Sequence, residues 1–477
     1  MNYSDFLKMV PEASLVSILI ILFVADFISA KAQERKWFNP LVCVLMFAQT
    51  LVCLLPQVAT SAFGGMYVTS NSVEAMKAIL SFGTLIVLIQ SKTWAIKSGK
   101  EGEFYMLIVS TLIGMYVMMS AGHFLMFFLG LEMASVPLAT TVAFDKYRND
   151  SAEAAAKFIL TATFSSGVML YGISLLYAAT GTLYYDDVVS KITPSALSIM
   201  GLVFFFSGLG FKISLVPFHF WTADTYQGAP TSVTGYLSVV SKGAAAFTLC
   251  TILMKVFASL VTYWTCLLFI VIVLSISIAN LFAIRQSELK RFMAFSSISQ
   301  AGYIVLAIVG NTSMSVTALS FYVLVYVVAN MAVFTIINVV EQANDGKTMI
   351  EDYNGFYKTN PKLAFLMTLA LFSLGGIPPF AGMFSKFFVF MAAVKGADVQ
   401  TTMGGWAYGV VFIALLNTVI SLYYYLKIVK AMYISHSDTP LPTFKSDVNT
   451  KFALALCTLG VILMGVCSFV YDWLATV

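Results

Sequence analysis

LVFFFSGLGFKISLVPFHF, residues 202–220, is an apolar run that carries Lys212 and, five residues later, Pro217. Proline removes a backbone donor and clashes with the preceding turn, so a helix entering this run breaks near its end. Lipid offers no partner to the freed backbone groups. A break at membrane depth is tolerated only against protein or a water-filled cavity. Read outward to about residue 196, the stretch is a broken membrane helix with a charge beside the break.

The rest of the chain agrees with a membrane setting. Its 477 residues are 59% hydrophobic and 10% charged, with a mean hydropathy of +0.87. Soluble domains are roughly a quarter charged. A helix needs about 20 apolar residues to cross the hydrocarbon layer. That ruler gives fourteen spans, near 12–30, 40–60, 75–93, 104–121, 123–143, 152–178, 196–218, 230–257, 264–284, 293–309, 315–340, 362–391, 406–431 and 452–474. The alternating polarity of barrel strands is absent. The first run follows Asp5, Lys8 and Glu12 and lacks a basic leader, so it reads as an uncleaved helix despite Ala30-Lys31-Ala32.

Basic residues sort by side. Eighteen of the 27 Lys and Arg fall in loops after odd-numbered spans, and five (Lys8, Lys77, Lys191, Lys255, Lys395) fall on the opposite side. Such a bias places the richer side in the cytoplasm and both termini outside. With no soluble linker, residues 1–477 read as a single membrane domain in a bacterial inner membrane. Six scattered cysteines form no C-x-x-C pair, and only three histidines could join them, so no metal or redox centre is expected in this chain.

Four lysines fall inside spans: Lys157, Lys212, Lys242 and Lys386, joined by Glu132 in the fifth span. A charge at the bilayer centre costs about 3 kcal/mol even on lenient scales. Lys242 lies about 18 Å into its span by helical rise, too deep to snorkel. Lys157 is nearer its helix end and has snorkelling as its bland reading, and Asp26 reads as interfacial. Lys386 follows a second breaker run, Gly375-Gly376-Ile377-Pro378-Pro379-Phe380-Ala381-Gly382. A broken helix with an adjacent charge is an ion-binding element of transporters, whereas a kinked helix with a structural lysine is the plainer alternative. Lys212 precedes its proline on the seventh span, and Lys386 follows its prolines on the twelfth. Mirrored order at a five-helix offset predicts two inverted repeats, spans 4–8 (104–257) and 9–13 (264–431). The second copy has no glutamate matching Glu132. The expected architecture is therefore all-α and polytopic, with helices 7 and 12 broken.

Burial favours a neutral amine, and a nearby carboxylate favours the ammonium, so a buried Lys–Glu pair can be switched. Two unit charges 4 Å apart interact by about 4 kcal/mol at an effective dielectric near 20. His219, after the first break, either relays protons or caps and packs. These features favour proton translocation.

The stretch from Phe211 through Pro230 (FKISLVPFHFWTADTYQGAP), continuing to Ser241-Lys242, resembles the signature of the antiporter-like subunits of respiratory complex I. Gly130-Leu131-Glu132-Met133 resembles their fifth-helix glutamate motif, and Leu289 to Tyr303 resembles their loop and tenth helix. Pro11-Glu12, the Gly-Gly-Ile-Pro-Pro-Phe-Ala-Gly element and a lysine in the twelfth helix point to one branch of that family. The chain ends shortly after the fourteenth span, where another branch carries a long lateral helix. The resemblance implies that Glu132 and Lys212 pair, that Lys242 is the central relay, that Lys386 is the exit-side site and that Lys157 links to the pair. It also implies that NADH, FMN, iron–sulfur clusters and quinone belong to partner subunits, with other membrane subunits and lipid as neighbours and no nucleic acid. An Mrp-type sodium/proton antiporter subunit, a membrane-bound hydrogenase arm and a purely structural scaffold are the rival readings.

Overall fold

The computed structural model describes all residues except 1–2, 30–34, 56–58, 147, 345, 347, 396, 398–399 and 438–439. The Ala30-Lys31-Ala32 stretch lies outside the described residues. The helices are α1 (Val10–Ser29), α2 (Phe38–Leu54), α3 (Asn71–Ser98), α4 (Glu101–Met119), α5 (Phe124–Val142), α6 (Asn149–Thr180), α7 (Tyr185–Lys191) and α8 (Ala196–Ile213). They continue as α9 (Phe220–Gly228), α10 (Thr231–Tyr236), α11 (Lys242–Lys255), α12 (Val261–Arg285), α13 (Leu289–Leu306), α14 (Ser313–Ala343) and α15 (Phe356–Thr359). The last are α16 (Pro361–Gly375), α17 (Ala381–Val394), α18 (Thr402–Tyr433), α19 (Val448–Val466) and α20 (Phe469–Thr476). Among the described residues, twelve helical segments are long and apolar enough to cross a membrane, and α2, α16 and α17 are shorter apolar helices. Outward faces carry residues such as Leu160, Phe164, Ile270 and Val419, each more than 60% exposed. Only lipid solvates such surface at no cost. The chain is a nearly all-helical polytopic membrane protein.

Local chemistry sets the helix ends. Ser70 accepts the Val73 amide at the start of α3, and Gly99 ends it at φ 69°. Thr312 and Ser315 form a reciprocal cap on α14. Three ends differ from the sequence expectation. The second span stops at Leu54 because Leu55 precedes Pro56 and is driven to extended backbone, ψ 135°. The seventh stops at Ile213, ahead of Ser214 at φ 68°. The fourteenth ends at Val466; Cys467 is extended, and α20 restarts with the Ser468 hydroxyl donating to Asp472 at 2.9 Å.

The chain divides into two compact units: residues 1–213, 240–266 and 477 in one, 214–239 and 267–476 in the other. In the first, α4 packs along α5, α6 along α8, and α11 rests on α8, α4 and α3. A short antiparallel hairpin pairs Ser61–Ala62 with Tyr67–Val68. In the second, α14 is central, touching α16, α17, α19 and α10, while α9 packs on α13. Polar clamps hold the 214–239 segment in this unit. Arg291 donates to Asp224 at 2.6 Å, Lys290 to the Ala229 carbonyl at 2.8 Å, and Asn330 to Ser238 at 2.6 Å.

Candidate functional site

The first break places Lys212 in the last turn of α8, 5% exposed. Its ammonium donates to Ser135 Oγ on α5 at 2.8 Å and lies 6.0 Å from the centre of the Phe158 ring. Glu132 and Ser135 stand three residues apart on α5 and so share a face. The Glu132 carboxylate acts electrostatically on Lys212. Its Oε1 is buried with no hydrogen-bond partner among the described residues. Lys212 is thus held by Ser135, whose own hydroxyl donates to the Leu131 carbonyl at 2.7 Å, with Glu132 on the same face of α5.

Lys242 opens α11 at 1% exposure, directly after a π-helical turn at Leu237–Ser241. Such turns widen the helix and recur at functional sites. Since α11 packs on α8, Lys212 and Lys242 sit on touching helices of one unit.

The second break positions Lys386 in α17. Gly376 ends α16 at φ 83°, and the close crossing of α16 and α17 leaves no room for a side chain at Gly382. Lys386 is 4% exposed and donates to the Leu374 carbonyl at 3.0 Å and the Gly375 carbonyl at 3.4 Å. These are orphan acceptors at the C-terminus of α16, where the helix dipole also favours a cation. The Tyr303 ring stands 5.0 Å from the ammonium. Beside it lies a cavity with room for roughly one water, walled by Gln300, Tyr322, Ser373, Ser385 and Lys386.

His219 is 9% exposed at the start of α9, its ring 4.6 Å from that of Phe220. It belongs to the second unit, as does Lys386. Lys157 departs from expectation. Its side chain is 45% exposed and bridges Glu153 at 2.8 Å, one turn earlier on α6, while its neighbour Phe158 faces Lys212. Residues 157 and 158 point to different sides of the helix, and the half-exposed Lys157 pairs along α6 with Glu153.

Sequence reasoning missed two groups. One is a hydroxyl–amide chain in the second unit: Tyr322 donates to Gln300, Gln300 donates to Tyr425 at 3.1 Å, and Tyr425 meets Ser296 at 2.6 Å. The run of Ser296, Ser297, Ser299 and Gln300 on an otherwise apolar helix was its signal. The other is the buried set Glu12, Glu74 and Lys77. Lys77, sorted by charge counting to an outer flank, is fully buried.

Residues 121–413 match the family described as NADH:quinone oxidoreductase/Mrp antiporter, TM. The chain is 54% identical to NADH-quinone oxidoreductase subunit N of Phocaeicola vulgatus, over 100% of this chain and 99% of that protein. A chain of respiratory complex I from Thermus thermophilus with bound aureothin superposes with a TM-score of 0.79 at 28% identity, covering 95% of this chain and 96% of that one. A chain of the Mrp complex from Dietzia sp. DQ12-45-1b shares the fold at a TM-score of 0.83 and 18% identity, covering 98% and 96%. Geometry, fold and sequence converge: the chain belongs to the NADH:quinone oxidoreductase/Mrp antiporter transmembrane family, on the side of the complex I subunit N proteins.

Proposed function

We propose that the chain is a proton-translocating membrane subunit of NADH:quinone oxidoreductase, carrying protons through Glu132, Lys212, Lys242 and Lys386. The observation that carries this reading is a set of three fully buried lysines beside two helix breaks and a π turn, in a chain 54% identical to subunit N relatives. Among buried ion pairs, apolar packing is usually the better stabiliser, which speaks against charges retained only as glue.

The mechanism follows from placement. Lys212 keeps its proton while Glu132 is charged and Ser135 accepts its hydrogen bond. When the carboxylate is neutralised, burial favours the free amine and the proton moves on. Lys242, on the helix packed against α8, is the next acceptor. Lys386 is held at the α16 carbonyls, which favour its charged form until the break shifts. His219, whose side chain makes no capping bond at the start of α9, serves as an additional relay. NADH, FMN, iron–sulfur clusters and quinone belong to partner subunits, whose redox chemistry drives the transfers. The two breaks, in mirrored order, support inverted repeats over 104–257 and 264–431. The charge bias supports both termini on the periplasmic side of the inner membrane, with fourteen passages if α16 and α17 are halves of one.

Lys386→Met, in an assembled complex, is expected to lower NADH-driven proton uptake by about hundredfold, the low end of what a positioned proton-transfer group contributes. Replacing sodium with choline should leave wild-type uptake unchanged. Uptake that needs sodium and continues without NADH would instead favour the Mrp-type reading.

A further inference from the structure

Glu12 in the first turn of α1 and Glu74 in the first turn of α3 meet over one lysine. Lys77 Nζ lies 2.6 Å from Glu12 Oε1 and 2.8 Å from Glu74 Oε1. All three residues are at most 4% exposed. Glu12 is fully engaged: Ser120 donates to Oε1 at 3.3 Å and the Tyr67 hydroxyl to Oε2 at 3.0 Å. The rings of Tyr67 and Tyr116 stand 5.6 and 5.5 Å from the ammonium. Glu74 is engaged on one side only. Its Oε1 accepts from Lys77 and from the Thr69 hydroxyl, whereas its Oε2 is buried with no hydrogen-bond partner among the described residues.

The charge count makes this group poised. Two carboxylates and one ammonium leave one negative charge, and two helix N-termini offset it by about half a charge each. With one proton added, a single carboxylate faces a single ammonium. Counted with the helix ends, the unprotonated site sums to about zero and the protonated site to about +1, so an added proton is held weakly and readily released. A purely structural pin needs only one carboxylate for its lysine.

The group also has a way out. Thr69, which bonds Glu74, walls a cavity of about 190 Å3 together with Ser70, Tyr185, Thr248, Thr251 and Lys255. That volume holds several waters. Thr248 and Thr251 lie on α11, whose first residue is Lys242, and Thr248 is about 9 Å along the axis from it. Tyr185 brings a buried hydroxyl without a partner among the described residues to the same wall. At the rim, Lys255 pairs with Asp186 at 2.9 Å, both side chains more than half exposed. Cavity and triad lie in one compact unit.

We propose that Glu12, Lys77 and Glu74 form a further proton-binding site, at which Glu74 takes up and releases a proton through the Thr69-walled cavity, in line with Lys242 along α11. The inference rests on the proton-path reading of the chain. Its test is an infrared difference spectrum of the whole complex in lipid nanodiscs, recorded across a pH step and again on NADH addition. A carboxylic C=O band that downshifts in D2O is expected in the wild type. It should vanish in Glu74→Gln and persist in Glu103→Gln, whose carboxylate is on the surface. If Glu74→Gln does not assemble, Glu74→Asp carries the test, because it moves the band when residue 74 is the source. Absence of such a band in the wild type, or a band indifferent to both substitutions at 74, overturns the proposal. The band reports on Glu74 whether or not the lysine path conducts, so the two readings fail separately.

Discussion

Lys212→Ala is expected to abolish redox-driven proton uptake while the chain still inserts and the complex still assembles. The substitution removes the amine that donates to Ser135 and lies in the field of Glu132. It also relieves the cost of a buried charge, about 3 kcal/mol on lenient insertion scales, so folding is not the casualty. What the proposed path loses is its amine at the end of α8, where the backbone breaks. Uptake in membrane vesicles should fall by about hundredfold or more, in keeping with removal of a positioned acid–base group. Assembly is checked on native gels, and normal pumping by an assembled Lys212→Ala complex would contradict the role given to this lysine.

Gly382→Ala should act oppositely, on structure first. A Cβ at this position falls 1.7 Å from the Ser373 carbonyl oxygen and 2.6 Å from its carbon. Those atoms are backbone of α16 and cannot swing aside, so α16 and α17 must separate at the break. Overpacking of this kind costs about 1–3 kcal/mol or more. The separation also draws Lys386 away from the Leu374 and Gly375 carbonyls. Complex abundance and melting temperature should both drop. Gly409→Ala in α18, where a Cβ meets nothing within 4 Å, should change stability by less than about 0.5 kcal/mol. Equal behaviour of the two variants would mean that the tight crossing is not needed.

Why the breaks were legible and the triad was not is a matter of range. Pro217, Gly376, Pro378 and Pro379 act on their own backbone, so the interruptions after Ile213 and Gly375 follow from local sequence. Lys212, Lys242 and Lys386 stand out because an apolar run marks each as out of place. Lys77 carries no such mark: it follows Glu74 by one turn, which reads as an ordinary surface pair. Its burial depends on Glu12, 65 positions earlier in the chain, and on Tyr67 and Tyr116 from other elements. Lys157 shows the converse. It lies in an apolar run, yet it pairs with Glu153 four residues earlier on a half-exposed face of α6. Ser135 was invisible for a third reason: serine at helical spacing from Glu132 is common, and only the approach of α8 gives it a lysine to bind.

The central claim is that the buried lysines form a proton path coupled to redox chemistry elsewhere in the complex. Lys242→Ala in the native complex tests it most directly, with NADH oxidation and proton uptake recorded together in the same membrane vesicles. The account predicts that both collapse while the complex remains assembled, because α11 then offers no acceptor between Lys212 and the rest of the path. Undiminished NADH oxidation with undiminished proton uptake in that variant would contradict it.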